Sequence, residues 1–220
     1  MTDDLLQKKF TELSEHYDNL AMQYGDSHHA VQQSSVETQH KRLQVLLEIE
    51  GNLKFAKVLD FGCGTGELLT LLQSQGFEGE YVGYDLSPKL LEIAQQKFPK
   101  TRFEQRDVLK KPPNELFDYV FISGVFNNDI GVNQRFLKDT ITTLFPLAQK
   151  GLAFNCLSTY VDFQSDGLYY FNPLELFQFC KEHLSTNVCL RHEYEIKEGV
   201  IPFEFSLYVY ASPHKPIASL

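Results

Sequence analysis

Residues 57–69 read KVLDFGCGTGELL, and this stretch decides the fold. An apolar run gives way to three alternate glycines, Gly62, Gly64 and Gly66, and then to a helical pattern. Glycines at such a turn let the backbone approach a ligand closely, and in an open parallel sheet ligands bind at the carboxyl ends of the strands. Nineteen positions after Gly66 stands Asp85, closing a second apolar run in YVGYD. An ionised carboxylate there can accept hydrogen bonds from both hydroxyls of a ribose. The expected ligand is therefore nucleoside-like. Dinucleotide-binding folds use G-x-G-x-x-G, whereas here the last of those positions is Glu67 and the glycines follow G-x-G-x-G. A carboxylate at the helix start opposes a pyrophosphate where the helix N-terminus should attract one. This disfavours a nicotinamide-dependent oxidoreductase.

Working outward, further short apolar or β-branched runs fall at 103–108, 119–122 and 152–157, with helical patterns between them. The clearest helix follows Ser87, a capping residue, with Pro88 at the first helical position and Pro99 beyond the end. Such alternation predicts a parallel sheet with helices on both faces. Helices are also expected at 132–145 and from Asn172 to about residue 184. Two strands near 188–195 and 203–211 have no helix between them, so the sheet should end in an antiparallel pair. Ahead of the core, residues 3–21 space Leu5, Leu6, Phe10, Leu13, Tyr17 and Leu20 as one helical face. Ser34 and Glu37 have the spacing of a capping box that opens a second helix, ending near Glu50. The expected organisation is a single domain, 1–220, with an N-terminal helical cap (1–52) on a Rossmann-like core (53–220).

Composition narrows the function classes. The 220 residues are 43% hydrophobic, 22% charged and 13% aromatic, which fits a globular domain and excludes a disordered or fibrous chain. Twenty Lys plus Arg against 29 Asp plus Glu leave a formal charge of −9, which argues against nucleic acid as a partner. The start MTDDLLQKKF is acidic where a signal peptide is basic, and no apolar run reaches the length of a membrane span. A cytoplasmic protein without a membrane partner is expected. Cys63, Cys156, Cys180 and Cys189 form no C-x-x-C pair and no cluster with histidine, so neither zinc nor a disulfide framework is indicated. His28 and His29, adjacent in a polar stretch without a third ligand nearby, are expected to be solvated loop residues rather than metal ligands.

The acid-x-G-x-G-x-G pattern of Asp60, Gly62, Gly64 and Gly66 resembles the hallmark of the class I S-adenosylmethionine-dependent methyltransferases. Asp85, Asp107 in RDVL and the strand FDYVFISG extend the likeness over about residues 55–160. The resemblance implies a seven-stranded sheet in the order 3-2-1-4-5-7-6 with strand 7 antiparallel. It implies S-adenosylmethionine as cofactor and S-adenosylhomocysteine as product. The glycine loop, with Cys63, would lie under the methionine portion and Asp85, followed by Leu86, would hold the ribose. Asp107 and Val108 would flank the adenine, with Ser123 and Gly124 near the sulfonium. For Asp60, inside an apolar strand, ordering the loop through backbone amides is the expected task. More narrowly, VQQSSVETQHKR, FISGVFN, GLAFNCLS and LRHEY look like a group of bacterial methyltransferases in which Ser34, Ser35 and Arg42 would close over the cofactor. Arg42 would pair with its methionine carboxylate. Gln33 stands where that group has an aromatic residue, and LRHEY is followed by a longer hairpin with Lys197 and Glu198. Both departures sit where an acceptor could be sensed.

Methyl transfer from a sulfonium is an in-line displacement that mainly needs positioning and exclusion of water. A hydroxyl or ammonium acceptor also needs a proton acceptor, for which Asn127, Asn128 and Asp129 after strand 4, and Arg191, His192 and Tyr194 near strand 6, are candidates. For His192 the competing expectation is a hydrogen-bonded strand histidine at the sheet edge. Tyr160, Phe163, Tyr169, Tyr170 and Phe171 after strand 5 form either a cover for an aromatic or amphipathic acceptor or a satellite hydrophobic cluster. The expected function is methylation of a small-molecule acceptor at oxygen or nitrogen. A cofactor-binding subunit that needs a partner for activity is the alternative. Oligomeric state is not legible.

Overall fold

The computed structural model describes residues 3–211. The ends of the expected cap and core, residues 1–2 and 212–220, lie outside the described residues. Helix α1 (Asp3–Tyr24) and, after a 3-10 turn, α2 (Val36–Leu47) precede strand β1 (Lys57–Phe61). Then follow α3 (Glu67–Ser74), β2 (Glu80–Asp85), α4 (Pro88–Lys97), β3 (Arg102–Gln105) and β4 (Phe117–Ile122). The chain continues with α5 (Asn133–Leu144), β5 (Ala148–Leu157), α6 (Pro173–His183), β6 (Val188–Arg191) and β7 (Glu204–Tyr210). The seven strands lie in the order β3-β2-β1-β4-β5-β7-β6, and β7 runs antiparallel to both neighbours. The strand order and the reversed last strand match the expectation. Asp107 follows β3 as the family likeness implied, Val108 lies past the strand although the apolar run extended to it, and β6 is four residues long.

Why these residues make this sheet is visible in the alternation of their faces. Along β1, Leu59 and Phe61 enter the core shared with α1, α5 and α6, while Val58 enters the opposite core under α2 and α3. Along β4, Val120 and Ile122 face the first core, and Tyr119 and Phe121 the second. A parallel strand covered on both sides must be apolar at nearly every position, which is why β1 and β4 read as continuous hydrophobic runs. Each fully buried Leu or Phe of this kind contributes about 1.5–3 kcal/mol. The edges are short, and the charged RFEQ of β3 suits an edge that must not pair further.

Two helix starts behave differently. Ser87 caps α4 as expected, its hydroxyl accepting from the Leu90 amide at 3.1 Å. At α2 the cap is Ser35 rather than Ser34: the Ser35 hydroxyl accepts from the Thr38 amide at 3.1 Å. The expected capping box is therefore corrected. With two adjacent serines the register of the cap is set by where the preceding 3-10 turn ends, and that turn closes on Gln32.

Helix α1 is the lid of the sheet's carboxyl edge. Ser14 donates to the Leu86 carbonyl at 2.9 Å, and Gln7 Nε2 donates to Asp107 at 2.9 Å. Asp18 accepts from the Ser87 hydroxyl at 2.6 Å and the Lys89 amide at 3.1 Å. These bonds fix the cap over the ends of β2 and β3.

Candidate active site

The turn after β1 is built for close approach. Gly62, Gly64 and Gly66 all have positive φ, between 54° and 82°. A Cβ on Gly64 would sit 2.8 Å from Val31 Cγ1, and one on Gly62 would run into the Val125 side chain. The loop is held by the next strand: the Gly62 and Cys63 amides donate to the Tyr84 carbonyl at 2.7 and 3.0 Å. Asp85 completes the clasp, one carboxylate oxygen accepting from the Gly64 amide and the other from the Ser87 amide, each at 2.9 Å. Each oxygen keeps a second lone pair for another donor. Burial pushes the Asp85 carboxyl above its ordinary value, and the three surrounding amides oppose that.

Beside this turn lies a cleft of about 900 Å³ that includes open solvent at its mouth. Asp60, Gly62, Cys63, Gly64, Asp85 and Leu86 line one side, and Ser123 and Gly124 the other. Asp60 accepts from the Tyr81 phenol at 2.5 Å, not from the loop amides expected of it, and burial pushes its carboxyl up to about 7. Glu67 lies at the cleft with its carboxylate 3.0 Å from Lys97 Nζ and 2.6 Å from His40 Nε2. Its repulsion toward a phosphate is thus partly offset, so the glycine spacing carries more of that argument than the charge does.

A second, larger chamber of about 1850 Å³, again open to solvent, adjoins the first. Tyr17, Val31, Gln33 and Gly124 line both. Around this junction runs a ring of residues hydrogen-bonded from Gln33 through Arg42, Glu204 and Asn155 to Gly124. Arg42 Nε donates to Glu204 at 2.7 Å and Arg42 Nη1 to the Gln33 side chain at 2.6 Å. Asn155 donates to the other Glu204 oxygen at 2.7 Å and accepts from the Gly124 amide at 2.7 Å. Gln33 Nε2 then lies 3.7 Å from where a Gly124 Cβ would be. Glu204 and Asn155 are each 1% exposed. Burial raises the Glu204 carboxyl, and Arg42 and Asn155 work against it.

Residues 58–146 match the methyltransferase domain family. The methyltransferase-family protein Rv1506c of Mycobacterium tuberculosis is 33% identical over 148 residues, 64% of this chain and 89% of the relative. The chain belongs to the class I S-adenosylmethionine-dependent methyltransferases. A trans-aconitate 2-methyltransferase of Methylobacterium nodulans is 37% identical over 70 residues, 32% of this chain and 27% of that protein. Among solved structures, magnesium protoporphyrin IX methyltransferase from Synechocystis PCC 6803, with bound S-adenosylmethionine, superposes with a TM-score of 0.67 at 18% identity. That match covers 93% of this chain and 97% of the other. It shares the fold.

The cofactor of a class I methyltransferase, S-adenosylmethionine, is consistent with the cleft: glycines let the turn approach Val31 and Val125 closely at its edge, and a carboxylate faces it. Of the expected site residues of this methyltransferase, eight line that cleft: Asp60, Gly62, Cys63, Gly64, Asp85, Leu86, Ser123 and Gly124. Gly66 starts α3 in the left-handed conformation, packed against Phe98 and Phe103. Asp107 is not among the lining residues; its carboxylate accepts from Gln7 and from the Leu109 and Lys110 amides. Val108 is buried in the core. Ser34 and Arg42 line the chamber instead of the cleft, and Ser35 caps α2.

The candidates for proton transfer separate. Asn127 lines the chamber, and its Oδ1 is buried without a hydrogen-bond partner among the described residues. Asp129 is exposed and turns its carboxylate to the Gly131 amide at 2.8 Å. His192 follows β6, against the rings of Tyr160 and Phe205, with Nε2 buried and unpartnered among the described residues. It is a packed histidine just past the strand, and its ring keeps a hydrogen bond to the Pro202 backbone. Burial lowers its pKa, and it lines neither cavity.

The sequence reading missed Glu204 and Asn155 as one unit. Each is a polar residue inside an apolar strand, in PFEFSLY and LAFNCL, where burial demands a partner. That mismatch was the available signal. Tyr17, counted only toward the apolar face of α1, carries a hydroxyl at the junction that accepts from Asn128 at 3.1 Å.

Proposed function

We propose that this chain is a single-domain enzyme that transfers the methyl group of S-adenosylmethionine to oxygen or nitrogen of a small-molecule acceptor by in-line displacement. The observation that carries this is the pair of cavities meeting at Gly124 and Gln33, one edged by the glycine turn and Asp85, the other open to solvent. When bound, the cofactor supplies a methyl carbon activated by the sulfonium: a bond from that carbon to the acceptor forms, the carbon–sulfur pair stays on sulfur, and the acceptor's proton leaves to solvent.

The chain's own residues do the rest. The glycine turn admits the methionine portion, and Asp85 receives the ribose hydroxyls on lone pairs its amide donors leave available. Leu86, with Val108 behind it, offers the adenine an apolar wall beside Asp107. Ser123 and Gly124 border the transfer point. Asp60 supports the turn from within the strand, and Cys63 is part of the turn itself. Ser34 and Arg42 are assigned to the acceptor side, where Arg42 holds Gln33 and, through Glu204 and Asn155, the Gly124 amide, while Ser35 caps α2 beside them. Helix α1 and Val31 exclude water, which is the main catalytic service such a displacement requires. The trans-aconitate methyltransferase relative supports a small-molecule acceptor.

Titration calorimetry with S-adenosylmethionine, S-adenosylhomocysteine and, as control, a nicotinamide dinucleotide tests this reading. Binding of the first two alone at micromolar concentration is expected. A folded sample that binds neither refutes it.

A further inference from the structure

The chamber has two unlike ends. Its inner wall, beside the cofactor cleft, is polar: Gln32, Gln33, Asn127 and Asn128 line it. Three of these amides are already committed to protein partners. Gln33 Oε1 accepts from Arg42, and Asn128 Nδ2 donates to Gln32 at 2.9 Å and to Tyr17 at 3.1 Å. Asn127 differs. Its backbone carbonyl is satisfied by the Tyr169 amide at 2.8 Å, but its side-chain Oδ1 is buried and has no partner among the described residues. Leaving a buried amide oxygen unpaired forfeits its hydration without replacement, so this atom favours a ligand that donates a hydrogen bond.

The outer end is apolar and comes from two loops far apart in sequence. The β5–α6 loop contributes Phe163 and Tyr170, and the β6–β7 hairpin contributes Val200, Ile201 and Phe203. Phe163 is 77% exposed, Ile201 47% and Val200 40%, although they face one chamber. Exposed apolar side chains gathered at the mouth of a cavity mark a surface that is covered when the cavity fills. The charged residues on the wall are Arg42, which is paired with Glu204, and Lys197 and Asp162, which carry opposite signs. The wall therefore offers no net charge to an ionic ligand.

We propose that the acceptor is an uncharged amphiphile, with an apolar body held between Phe163 and Ile201 and an O–H or N–H group at its inner end that donates to Asn127 Oδ1. This rests on the methyltransferase reading above and narrows its substrate class. Asn127 is a binding residue in this assignment: it selects a protonated nucleophile and orients it beside Gly124.

The test uses the full chain saturated with S-adenosylhomocysteine and measures binding calorimetrically, with no turnover needed. The probes are 1-naphthol, its donorless isostere 1-methoxynaphthalene, the anion 1-naphthoate and ethylene glycol. We expect 1-naphthol to bind about tenfold tighter than 1-methoxynaphthalene, the equivalent of one buried hydrogen bond. Asn127→Ala should erase that preference, whereas Phe163→Ser and Ile201→Ser should weaken both naphthalenes about equally. Equal binding of the two isosteres to the wild type, tighter binding of 1-naphthoate, or comparable binding of ethylene glycol each overturns the proposal. S-adenosylhomocysteine affinity is measured for every variant. If the wild type binds it and the naphthol preference is missing, only the acceptor class fails; if the wild type does not bind it, the methyltransferase reading fails as well.

Discussion

The cofactor cleft and the acceptor chamber meet at one glycine but are made in different ways. The cleft is edged by backbone: a turn that only glycine tolerates, strand ends in fixed order, and one carboxylate clasping two amides. The chamber is walled by side chains from α1, α2, the segment after β4, the β5–α6 loop and the β6–β7 hairpin, braced by a ring that includes a buried ion pair. A site built on the backbone tolerates sequence drift around it, whereas a side-chain site changes with every loop substitution. The same difference predicts that the two can be damaged separately.

The largest effect is expected at the ring. Arg42→Met leaves the Glu204 carboxylate buried without its cation, which should cost about 3–5 kcal/mol in urea unfolding. The double variant Arg42→Met, Glu204→Gln keeps an acceptor for Asn155 and should recover most of that loss. The double variant also sharpens the division between cavities. If Arg42 serves only the chamber side, its S-adenosylhomocysteine affinity stays within about threefold of wild type. A drop beyond tenfold would return Arg42 to the cofactor's methionine carboxylate.

Next in size is Asp85→Ala, which removes charge-assisted bonds worth about 3 kcal/mol, so cofactor affinity should fall about a hundredfold. At saturating S-adenosylhomocysteine the binding of 1-naphthol should be unchanged. Unchanged cofactor affinity would remove the ribose from Asp85.

What could be read from the sequence follows the same line. The glycine turn and Asp85 were legible because they depend on spacing within one or two strand–helix units, whereas the strand order came from the family likeness. The ring was not, since Arg42 and Glu204 are 162 positions apart and only the return of β7 between β5 and β6 brings them together. Family likeness pointed Arg42 at the cofactor, but the chain supplies an acid that likeness did not include. Ser34 was read as the cap for a related reason: two serines offer two registers, and the turn ahead of them, ending with Gln32 at φ 56°, chooses Ser35. Asp60 was read as ordering the loop through backbone amides, yet its partner came from the neighbouring strand, where Tyr81 points to the same side.

Asp60 gives a pH signature that belongs to the cleft alone. Burial, opposed by the Tyr81 bond, raises its folded value from 3.8 to about 7. Between those limits the native state holds a proton that the unfolded chain has released. Its contribution is therefore fully present below about pH 4, lost as pH rises toward 7, and constant above. Wild type should lose stability relative to Asp60→Asn across that window, by at most about 1.4 kcal/mol per pH unit. Urea unfolding of both proteins at pH 5, 6, 7 and 8 measures it, and parallel curves would mean that Asp60 is ionised throughout.

The smallest effect is expected at His192. Its ring packs on Phe205, and successive residues of a strand face opposite sides, so it lies across β7 from Glu204 and the ring around Arg42. Burial lowers its pKa, its Nε2 is unpartnered among the described residues, and the hydrogen bond of the ring to the Pro202 backbone is a single contact for a substitution to break. Because the folded value lies below the ordinary one, wild type should lose stability relative to His192→Ala as pH falls below the ordinary value of 6.5. At neutral pH the variant should stay within about 1 kcal/mol of wild type and keep its affinity for S-adenosylhomocysteine and for 1-naphthol. Once an acceptor is known, loss of turnover in this variant with both affinities intact would make His192 the proton acceptor and require the edge of the sheet to move toward the chamber during the reaction.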